Sequence, residues 1–183
     1  INTAAQYQNR NGESGTPYAL IAYATKDVTV KNLTLDVNFV QTSGNPLFTA
    51  GVLASYDFNG ITANNEKGYH VLISNVTVNG TMSGKDNVGG IMGTNYVGNC
   101  DNARFAAVSF KIENCVNNAS LKSENRVGGI VCKVSTNRDQ FPCEKVANAT
   151  RKAVSFEIEN CKNAAKSIET TDSTVGVGGI IGF

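Results

Sequence analysis

The chain contains no tryptophan, one histidine, two methionines and three prolines among its 183 residues. A single histidine excludes sites that need several imidazole ligands, and any catalytic triad or zinc site would depend on His70 alone. The formal net charge is +1, from 16 basic and 15 acidic side chains. A balance this close to neutrality gives no reason to expect a nucleic acid or an anionic membrane as a partner.

Long apolar runs are also missing. No apolar stretch approaches the roughly 20 residues that span a bilayer, so membrane insertion is not expected. The first residues, 1–16, are polar and lack the apolar stretch of a secretory signal. Abundant asparagine, with 18 glycines, favours many short strands joined by tight turns over long helices.

Internal repetition is the strongest signal in the sequence. The segment 154–164 repeats 108–118 almost residue for residue, and looser copies begin at Val71 and Val28. In each copy, apolar and polar residues alternate with period two and run into one asparagine, which predicts a half-buried strand that ends at a corner. The corner asparagines are Asn32, Asn75, Asn114 and Asn160.

A glycine-marked element follows each corner, and a further copy precedes the first one. It reads Val-Gly-Gly-Ile in three copies and is looser in the first two. A Gly-Gly pair has no Cβ, which suits a sharp bend or the close approach of two sheets. The unit is constant while its connecting segments vary in length, as in solenoid proteins. The predicted repeat strands lie near 18–23, 50–55, 88–93, 127–132 and 177–182.

These features predict an all-β fold, a right-handed parallel β-helix (solenoid) with variable loop insertions, as a single domain over 1–183. Stacked strands would place Phe110 beside Phe156. They would also bring together the like charges of Glu113 and Glu159. An antiparallel β-sandwich is the alternative, although it does not explain why the same side chains recur at the same offsets. The last glycine element has no polar cap, so we expect either a segment of a longer repetitive protein or an open edge used for assembly.

The pattern Asn-Cys-x-Asn followed by Val-Gly-Gly-Ile-x-Gly resembles the GLUG repeat, most closely in 108–132 and 154–182. That motif is found in large secreted and surface-anchored bacterial proteins, including adhesin-like proteins and the non-catalytic part of some immunoglobulin A-cleaving metalloproteases. The resemblance implies an extracellular β-helical stalk or recognition surface without an active site. This chain departs from the motif at Cys132, where the last glycine would lie, and in its long insertions after the glycine elements.

Catalytic, cofactor and metal sites are not predicted. His70 is interpreted as an exposed residue at a strand edge. Glu113, Glu157 and Glu159 would share one outward face of the stacked strands. Lys111 would lie beside Glu157 as a pair of opposite charges. A polysaccharide-cleaving enzyme would use such outer carboxylates, but solvated charge is the preferred interpretation.

The cysteines and the corner sequons at Asn32 and Asn75 have mainly structural interpretations, and in a secreted eukaryotic protein the five sequons could carry glycans. Cys115 and Cys161 occupy equivalent repeat positions and are predicted to be buried free thiols. Cys132–Cys143 is the favoured bridge, and no close cysteine pair suggests a zinc site. The remaining cysteine is Cys100, and the sequons begin at Asn32, Asn75, Asn79, Asn118 and Asn148.

The variable insertions are the predicted binding regions, because loops on a rigid scaffold commonly carry recognition. They cover 44–48, 59–69, 94–107 and 133–151 and could cluster on one side. Their aromatic residues either contact a protein or glycan ligand or fasten each loop to the scaffold. The aromatic residues in or beside them are Tyr56, Phe58, Tyr69, Tyr96, Phe105 and Phe141.

The leading functional hypothesis is a non-enzymatic adhesion or recognition module at the cell surface or outside the cell, with a protein or glycan ligand. The alternative is a structural subunit that self-associates end to end into a filament through its open edges. A polysaccharide-active enzyme is the third hypothesis, and an activity that survived Glu157→Gln would remove its best candidate residue.

Overall fold

The structure is a computed structural model, and it describes residues 7–8, 14–15, 17–40, 48–57, 68–96, 108–134, 154–172, 174 and 176–182. Over these residues the fold is all-β and contains no helix. The described residues accordingly include no helix that is long and apolar enough to span a membrane.

The strands are short except for two long ones, β4 and β7. In chain order they are β1 (Tyr7–Gln8), β2 (Ser14–Gly15), β3 (Ile21–Ala24), β4 (Val28–Val40), β5 (Phe48–Ala50), β6 (Leu53–Asp57), β7 (Tyr69–Gly84), β8 (Asn87–Gly89), β9 (Met92–Tyr96), β10 (Val108–Glu113), β11 (Val116–Asn117), β12 (Ser120–Ser123), β13 (Arg126–Gly128), β14 (Val131–Lys133), β15 (Val154–Glu159), β16 (Lys162–Asn163), β17 (Ile168–Thr170) and β18 (Val177–Gly178).

Apart from the antiparallel pair β1 and β2, the described strands form three parallel sheets. The first sheet contains β4, β7, β10, β11, β12, β15, β16 and β17. The second has the order β18-β13-β8-β5, and the third has the order β14-β9-β6-β3. Since every pairing in these sheets is parallel, the antiparallel sandwich does not describe them.

The chain visits the three sheets in a fixed cyclic order. From β3 onward it runs from the third sheet to the first, then to the second, and back to the third. Within the second and third sheets, consecutive visits give neighbouring strands. The repeats identified in the sequence are therefore the units that pair with one another.

The predicted register between repeats is confirmed in the first sheet. Val108–Glu113 pairs residue by residue with Val154–Glu159, so Phe110 lies beside Phe156. The two rings are stacked, with centroids 5.0 Å apart and planes at 14°. The inward face of β10 is buried at every second residue, as the period-two alternation requires.

The core lies between the three sheets and is made mainly of β-branched and other aliphatic side chains. Its apolar positions recur from repeat to repeat, and each contributes about 1.5–3 kcal/mol when fully buried. Burial decreases in the last repeat, where Val154, Phe156 and Ile158 pack on the core but are only partly buried. The largest fully buried side chains are Tyr56, Phe110, Leu53, Ile73, Met82, Ile91, Met92, Ile112, Leu121, Ile130 and Val52.

The corner asparagines adopt the left-handed backbone conformation, as predicted, but β4 and β7 continue through Asn32 and Asn75 and do not end there. Their φ angles are 55° at Asn32, 55° at Asn75, 54° at Asn114 and 50° at Asn160. Asparagine tolerates this region better than other residues with a Cβ. The Asn75 side-chain amide also donates a hydrogen bond of 2.8 Å to Oδ1 of Asn32, so the corner is bonded between neighbouring repeats.

Each glycine element is divided by a corner instead of forming one continuous strand. In the 88–93 copy, β8 ends at Gly89 and β9 begins at Met92 in a different sheet. Gly90 lies at the bend, and a Cβ there would overlap the carbonyl oxygen of Gly129 in the next repeat. The two glycines thus allow a change of sheet and a close approach of backbones in one short segment.

The first glycine element is one residue shorter than the second. Tyr18 pairs with Thr49, whereas Ile21 pairs with Leu53. Tyr18 and Ile21 are three residues apart, whereas their partners Thr49 and Leu53 are four residues apart, so one residue between Thr49 and Leu53 has no counterpart in the first copy. The predicted register, which matches 18–23 with 50–55, therefore holds after the corner, where Ile21 pairs with Leu53, but is wrong by one residue before it, where Tyr18 pairs with Thr49.

Candidate functional site

Three long connections leave the third sheet and enter the first sheet side by side. Their end points belong to neighbouring strands: Asp57 pairs with Tyr96 where two of them begin. Val108 pairs with both Tyr69 and Val154 where they end. Since paired strands lie about 4.8 Å apart, the three connections emerge next to one another. We call these anchor residues the insertion edge: Asp57, Tyr96, Lys133, Tyr69, Val108 and Val154.

The first repeat makes the same connection with a short link. Residues 25–27 join β3 to β4, and Ala24 pairs with Tyr56 while Val28 pairs with Val71. The scaffold therefore needs only these three residues to pass from the third sheet to the first. The longer segments between equivalent positions, 57–70, 96–109 and 135–155, exceed what the connection requires.

Most of the predicted binding insertions lie outside the described residues, as do Phe58, Phe105 and Phe141. Two of the predicted loop aromatics can be placed. Tyr56 is fully buried and packs edge-on against Phe110, with ring centroids 5.1 Å apart. Tyr69 is partly buried against the core. Both side chains fasten the insertion edge to the scaffold instead of facing a ligand.

The predicted outer-face carboxylates form an ion cluster around one lysine. Nζ of Lys111 lies 3.0 Å from Glu159, 3.3 Å from Glu113 and 3.8 Å from Glu157. The expected repulsion between Glu113 and Glu159 is offset because both carboxylates bind this ammonium group. Ser74 adds a hydrogen bond of 2.9 Å to Glu113.

The cluster shifts the pKa values of Glu157 and Glu159 in opposite directions. Hydrogen bonding from Lys111 and then from Glu157 lowers the pKa of Glu159. The hydrogen bond to Glu159 and its negative charge raise the pKa of Glu157, although Lys111 opposes this effect. The hydrogen bonds to Glu159 and Glu113 also raise the pKa of Lys111. The exposed carboxylates are held together by the lysine, which is the behaviour of a solvated ion network.

His70 is exposed near the start of β7, as predicted, and it bonds to a neighbouring repeat. Its Nδ1 shares a hydrogen bond of 2.6 Å with the Ser109 hydroxyl group. The Asp27 carboxylate accepts a bond of 2.8 Å from the backbone N–H of His70, not from the ring. In a catalytic triad the acid orients the imidazole ring itself, so these three residues do not have triad geometry.

A groove of about 320 Å³ lies on the first sheet, close to the ends of β4, β12 and β17. Hydroxyl groups from Thr81, Ser120 and Ser167 line it, and the exposed pair Lys122–Glu169 borders it at 3.9 Å. None of the clustered outer-face carboxylates is among its lining residues. This groove could not be found from the sequence, because its lining side chains come from four different repeats.

The described cysteines are free thiols; the prediction of a buried free thiol is confirmed for Cys115, whereas Cys161 is free but only partly buried. Cys132 is also a free thiol and is fully buried, whereas Cys143, its predicted bridge partner, lies outside the described residues. The Cys132 sulfur approaches Oδ1 of Asn87 at 3.7 Å and the carbonyl oxygen of Arg126 at 3.3 Å. Burial raises the pKa of the Cys132 thiol to about 12, which makes it unreactive.

Cys115 and Cys161 are neighbouring thiols at the same position of successive repeats. The hydrogen bond between them lowers the pKa of Cys161 to about 7 despite its partial burial. The same bond, together with burial, raises the pKa of Cys115. Cys115 is fully buried, whereas Cys161 is partly exposed in the last repeat. The pair therefore has one reactive sulfur and one protected sulfur.

We expect iodoacetamide to alkylate Cys161 with a rate that rises through a midpoint near pH 7, while Cys115 and Cys132 remain unmodified in the native protein. The thiolate is the nucleophile, so the rate follows its population. Peptide mapping by mass spectrometry measures each site separately. Cys115→Val, which copies Val76 at the equivalent position, should move the Cys161 midpoint upward because the donor is lost. Equal alkylation of Cys115 and Cys161 would contradict this assignment.

Several sequon asparagines use their amide groups to bond neighbouring repeats. Asn79 donates to Asp36 at 2.9 Å, and Asn118 donates to Asn79 at 2.8 Å. Glycosylation would replace one hydrogen on the donating nitrogen and compete with these bonds. Asn148 lies outside the described residues. The side-chain amides of Asn75, Asn79 and Asn118 thus bond neighbouring repeats, which is a structural role.

The described residues contain no group of three or more histidine, cysteine, aspartate or glutamate side chains that could hold a metal ion. Comparisons of the chain with protein-family models, with curated proteins and with solved structures find no match. The candidate site consequently depends on the geometry of the chain itself.

Proposed function

We propose that the three parallel sheets form a right-handed parallel β-helix, in which each repeat is one turn. The cyclic visiting order of the sheets and the in-register parallel pairing of successive repeats support this proposal. The right-handed twist of strands favours right-handed connections between parallel strands. Loop insertions between turns leave such a stack intact, because each turn contacts mainly its neighbours.

We propose that the protein is a non-enzymatic recognition module, and that its binding surface is made by the insertions that leave the insertion edge. The observation that carries this proposal is the side-by-side anchoring of three connections that all exceed the link of residues 25–27. Loops held by a rigid scaffold are common carriers of recognition. Adjacent anchors allow several loops to contact one protein or glycan ligand.

The GLUG resemblance supports an extracellular or cell-surface location for this module. Its two motifs coincide with two bends of the repeat. Asn114 of the Asn-Cys-x-Asn motif has a left-handed backbone, and Gly128 and Gly129 of the second motif lie at the change of sheet. The motif residues therefore have roles in the scaffold, which agrees with a stalk or display function and does not require an active site.

Replacement of each insertion by the natural short link tests the recognition proposal. We design three variants in which 57–68, 96–107 or 135–153 is replaced by a single threonine, the residue that Thr25 supplies in the short link, so that Tyr69, Val108 and Val154 are kept. Binding is measured on an immobilised glycan array and on surfaces coated with fibronectin, collagen or mucin. We expect the wild-type chain to bind at least one probe, and at least one replacement to weaken that binding about tenfold or more.

Circular dichroism and thermal melting provide the control for this experiment, since the replaced segments are not needed to join the two sheets. A variant that melts like the wild type but no longer binds assigns the ligand contact to the removed insertion. Binding that persists in all three variants and in the triple replacement would refute the proposal. Absence of binding to every probe would also count against it.

A further inference from the structure

The groove on the first sheet, which we call the hydroxyl groove, crosses four repeats. Its polar lining lies in two adjacent rows: Thr81, Ser120 and Ser167 in one, and Val40, Ser83, Lys122 and Glu169 in the other. Equivalent residues of paired strands lie about 4.8 Å apart, so each row presents one side chain per repeat at that spacing. The groove volume of about 320 Å³ falls within the range of sites for small ligands.

The first row has hydrogen-bonding groups that the fold leaves unused. Oγ1 of Thr81 donates 2.9 Å to Oδ1 of Asn38, which fixes this hydroxyl group and leaves its oxygen as an acceptor. The hydroxyl groups of Ser120 and Ser167 have no hydrogen-bond partner among the described residues. Each of them offers one donor and two acceptor lone pairs to a ligand.

The second row adds a cation and an anion that do not use up each other's hydrogen bonds. Nζ of Lys122 lies 3.9 Å from Oε2 of Glu169, which is beyond hydrogen-bond distance. In the ion cluster, by contrast, Nζ of Lys111 lies 3.0 Å from Oε2 of Glu159. Within the described part of the chain, Lys122 therefore keeps its three N–H donors and Glu169 its acceptors. Because the two charges are opposite, the lining has no net charge.

An apolar side chain completes the second row on a rigid support. Val40 is 55% exposed and pairs with Ser83, so it presents C–H groups beside the polar ones. Met82 and Leu121 alternate with the lining residues along their strands and are fully buried in the core. The strands beneath the groove are thus held in place, and a ligand does not have to order them on binding.

The charges and the strand pairing exclude two classes of ligand. An anion would approach Glu169 and a cation would approach Lys122, so each would meet a like charge at close range. A peptide that adds to a sheet pairs with the open backbone groups of an edge strand. The groove instead crosses β7 and β12, which are paired on both sides.

We infer that the hydroxyl groove binds a short segment of a neutral glycan chain that runs across the strands. A sugar ring has hydroxyl groups around its rim and C–H groups on its faces, which match the polar rows and Val40. One sugar unit of an extended chain is about as long as the strand spacing, so successive units meet equivalent residues of successive repeats. The site lies near the end of β7, whereas the insertion edge includes Tyr69 at its beginning, so the inference does not rest on the proposed role of the insertions.

Titration with neutral oligosaccharides tests this site. The probes are cellohexaose, mannohexaose and N-acetylchitohexaose, with hexagalacturonate as the anionic comparison, and saturation-transfer NMR and calorimetry measure binding. We expect at least one neutral probe to bind, and to bind more tightly than hexagalacturonate. Glu169→Gln should weaken this binding about tenfold, because it removes a charge-assisted hydrogen bond. Ser120→Ile should weaken it at least as much, since it removes a hydroxyl group and fills the groove.

Two substitutions outside the groove on the same sheet face are the matched controls. Thr77→Ile also replaces a hydroxyl group by a larger aliphatic side chain, and Glu157→Gln makes the same change in charge as Glu169→Gln. Neither Thr77 nor Glu157 lines the groove, and we expect both variants to bind like the wild type. Thermal melting verifies that every variant is folded. Equal weakening by a control and by its groove counterpart would overturn the assignment of the site.

The triple replacement of the insertions separates this site from the insertion edge. We expect it to bind the neutral probe like the wild type, and glycan binding that Ser120→Ile abolishes is then assigned to the groove and not counted in the test of the insertions. Binding that is lost in the triple replacement but kept in Ser120→Ile would overturn the inference and support the proposed role of the insertions. Absence of binding to all three neutral probes, or tighter binding of hexagalacturonate, would also overturn it.

Discussion

Gly90→Ala is expected to lower the free energy of unfolding by about 3 kcal/mol. A Cβ at this position would overlap the carbonyl oxygen of Gly129 and lie 2.6 Å from Cγ of Asn117. Asn117 is fully buried, and its amide donates 2.9 Å to Oδ1 of Asn163. The backbone cannot yield without disturbing this buried bond and the next repeat. In a chain of 183 residues, the loss corresponds to a fall in Tm of roughly 6–12 °C.

Gly179→Ala is the matched control, because Gly179 occupies the equivalent position in the last Val-Gly-Gly-Ile motif. A Cβ there meets no atom within 4 Å. We expect the free energy of unfolding to stay the same or to rise by up to about 1 kcal/mol, since alanine restricts the unfolded chain. Urea denaturation of both variants at low protein concentration measures the difference. Similar losses at the two positions would contradict the close approach of backbones at Gly90.

The pairing of repeats could be predicted from the sequence because repetition itself carries the register. Identical offsets between 108–113 and 154–159 indicate that Phe110 and Phe156 are neighbours, and the structure pairs them. The corner at Asn114 could be predicted in the same way, since asparagine ends each alternating segment and tolerates a positive φ. Local chemistry and repetition agree at these positions, so no long-range information was needed.

The corner inside each glycine element could not be located from the pattern. Val88-Gly89-Gly90-Ile91 is uniformly apolar or small, and its residues are all buried. Such a segment has no alternation to show where one strand ends and the next begins. The bend at Gly90 becomes evident only from the position of the next repeat, whose backbone excludes a Cβ. The single-residue difference between the first two copies was hidden for the same reason.

The sequence indicated the insertion edge only in part. Variable spacing between constant motifs predicted where the insertions occur, and the paired anchors place them side by side. The predicted bridge between Cys132 and Cys143 rested on closeness along the chain; only Cys132 lies among the described residues, and its sulfur faces Asn87 of the preceding repeat. The groove beside Thr81 was missed because its lining comes from separate repeats. A contact between repeats that involves residues outside the repeated motif cannot be predicted from the sequence around either residue.

Phe110→Ala is expected to lower the free energy of unfolding by about 3–5 kcal/mol, and Tm by roughly 6–20 °C. The ring is fully buried and packs between two other rings, in a stacked contact with Phe156 and an edge-on contact with Tyr56. Its removal leaves a cavity in the middle of the core, where repeats on both sides restrict collapse. Calorimetry of the variant and the wild type measures the loss.

Phe156→Ala is the control for this prediction, since Phe156 occupies the same position in the next repeat but is only partly buried. We expect it to cost less than half as much, because part of the ring is already in water and no further described strand covers it. If the two substitutions cost the same, Phe156 is buried as deeply as Phe110 in solution.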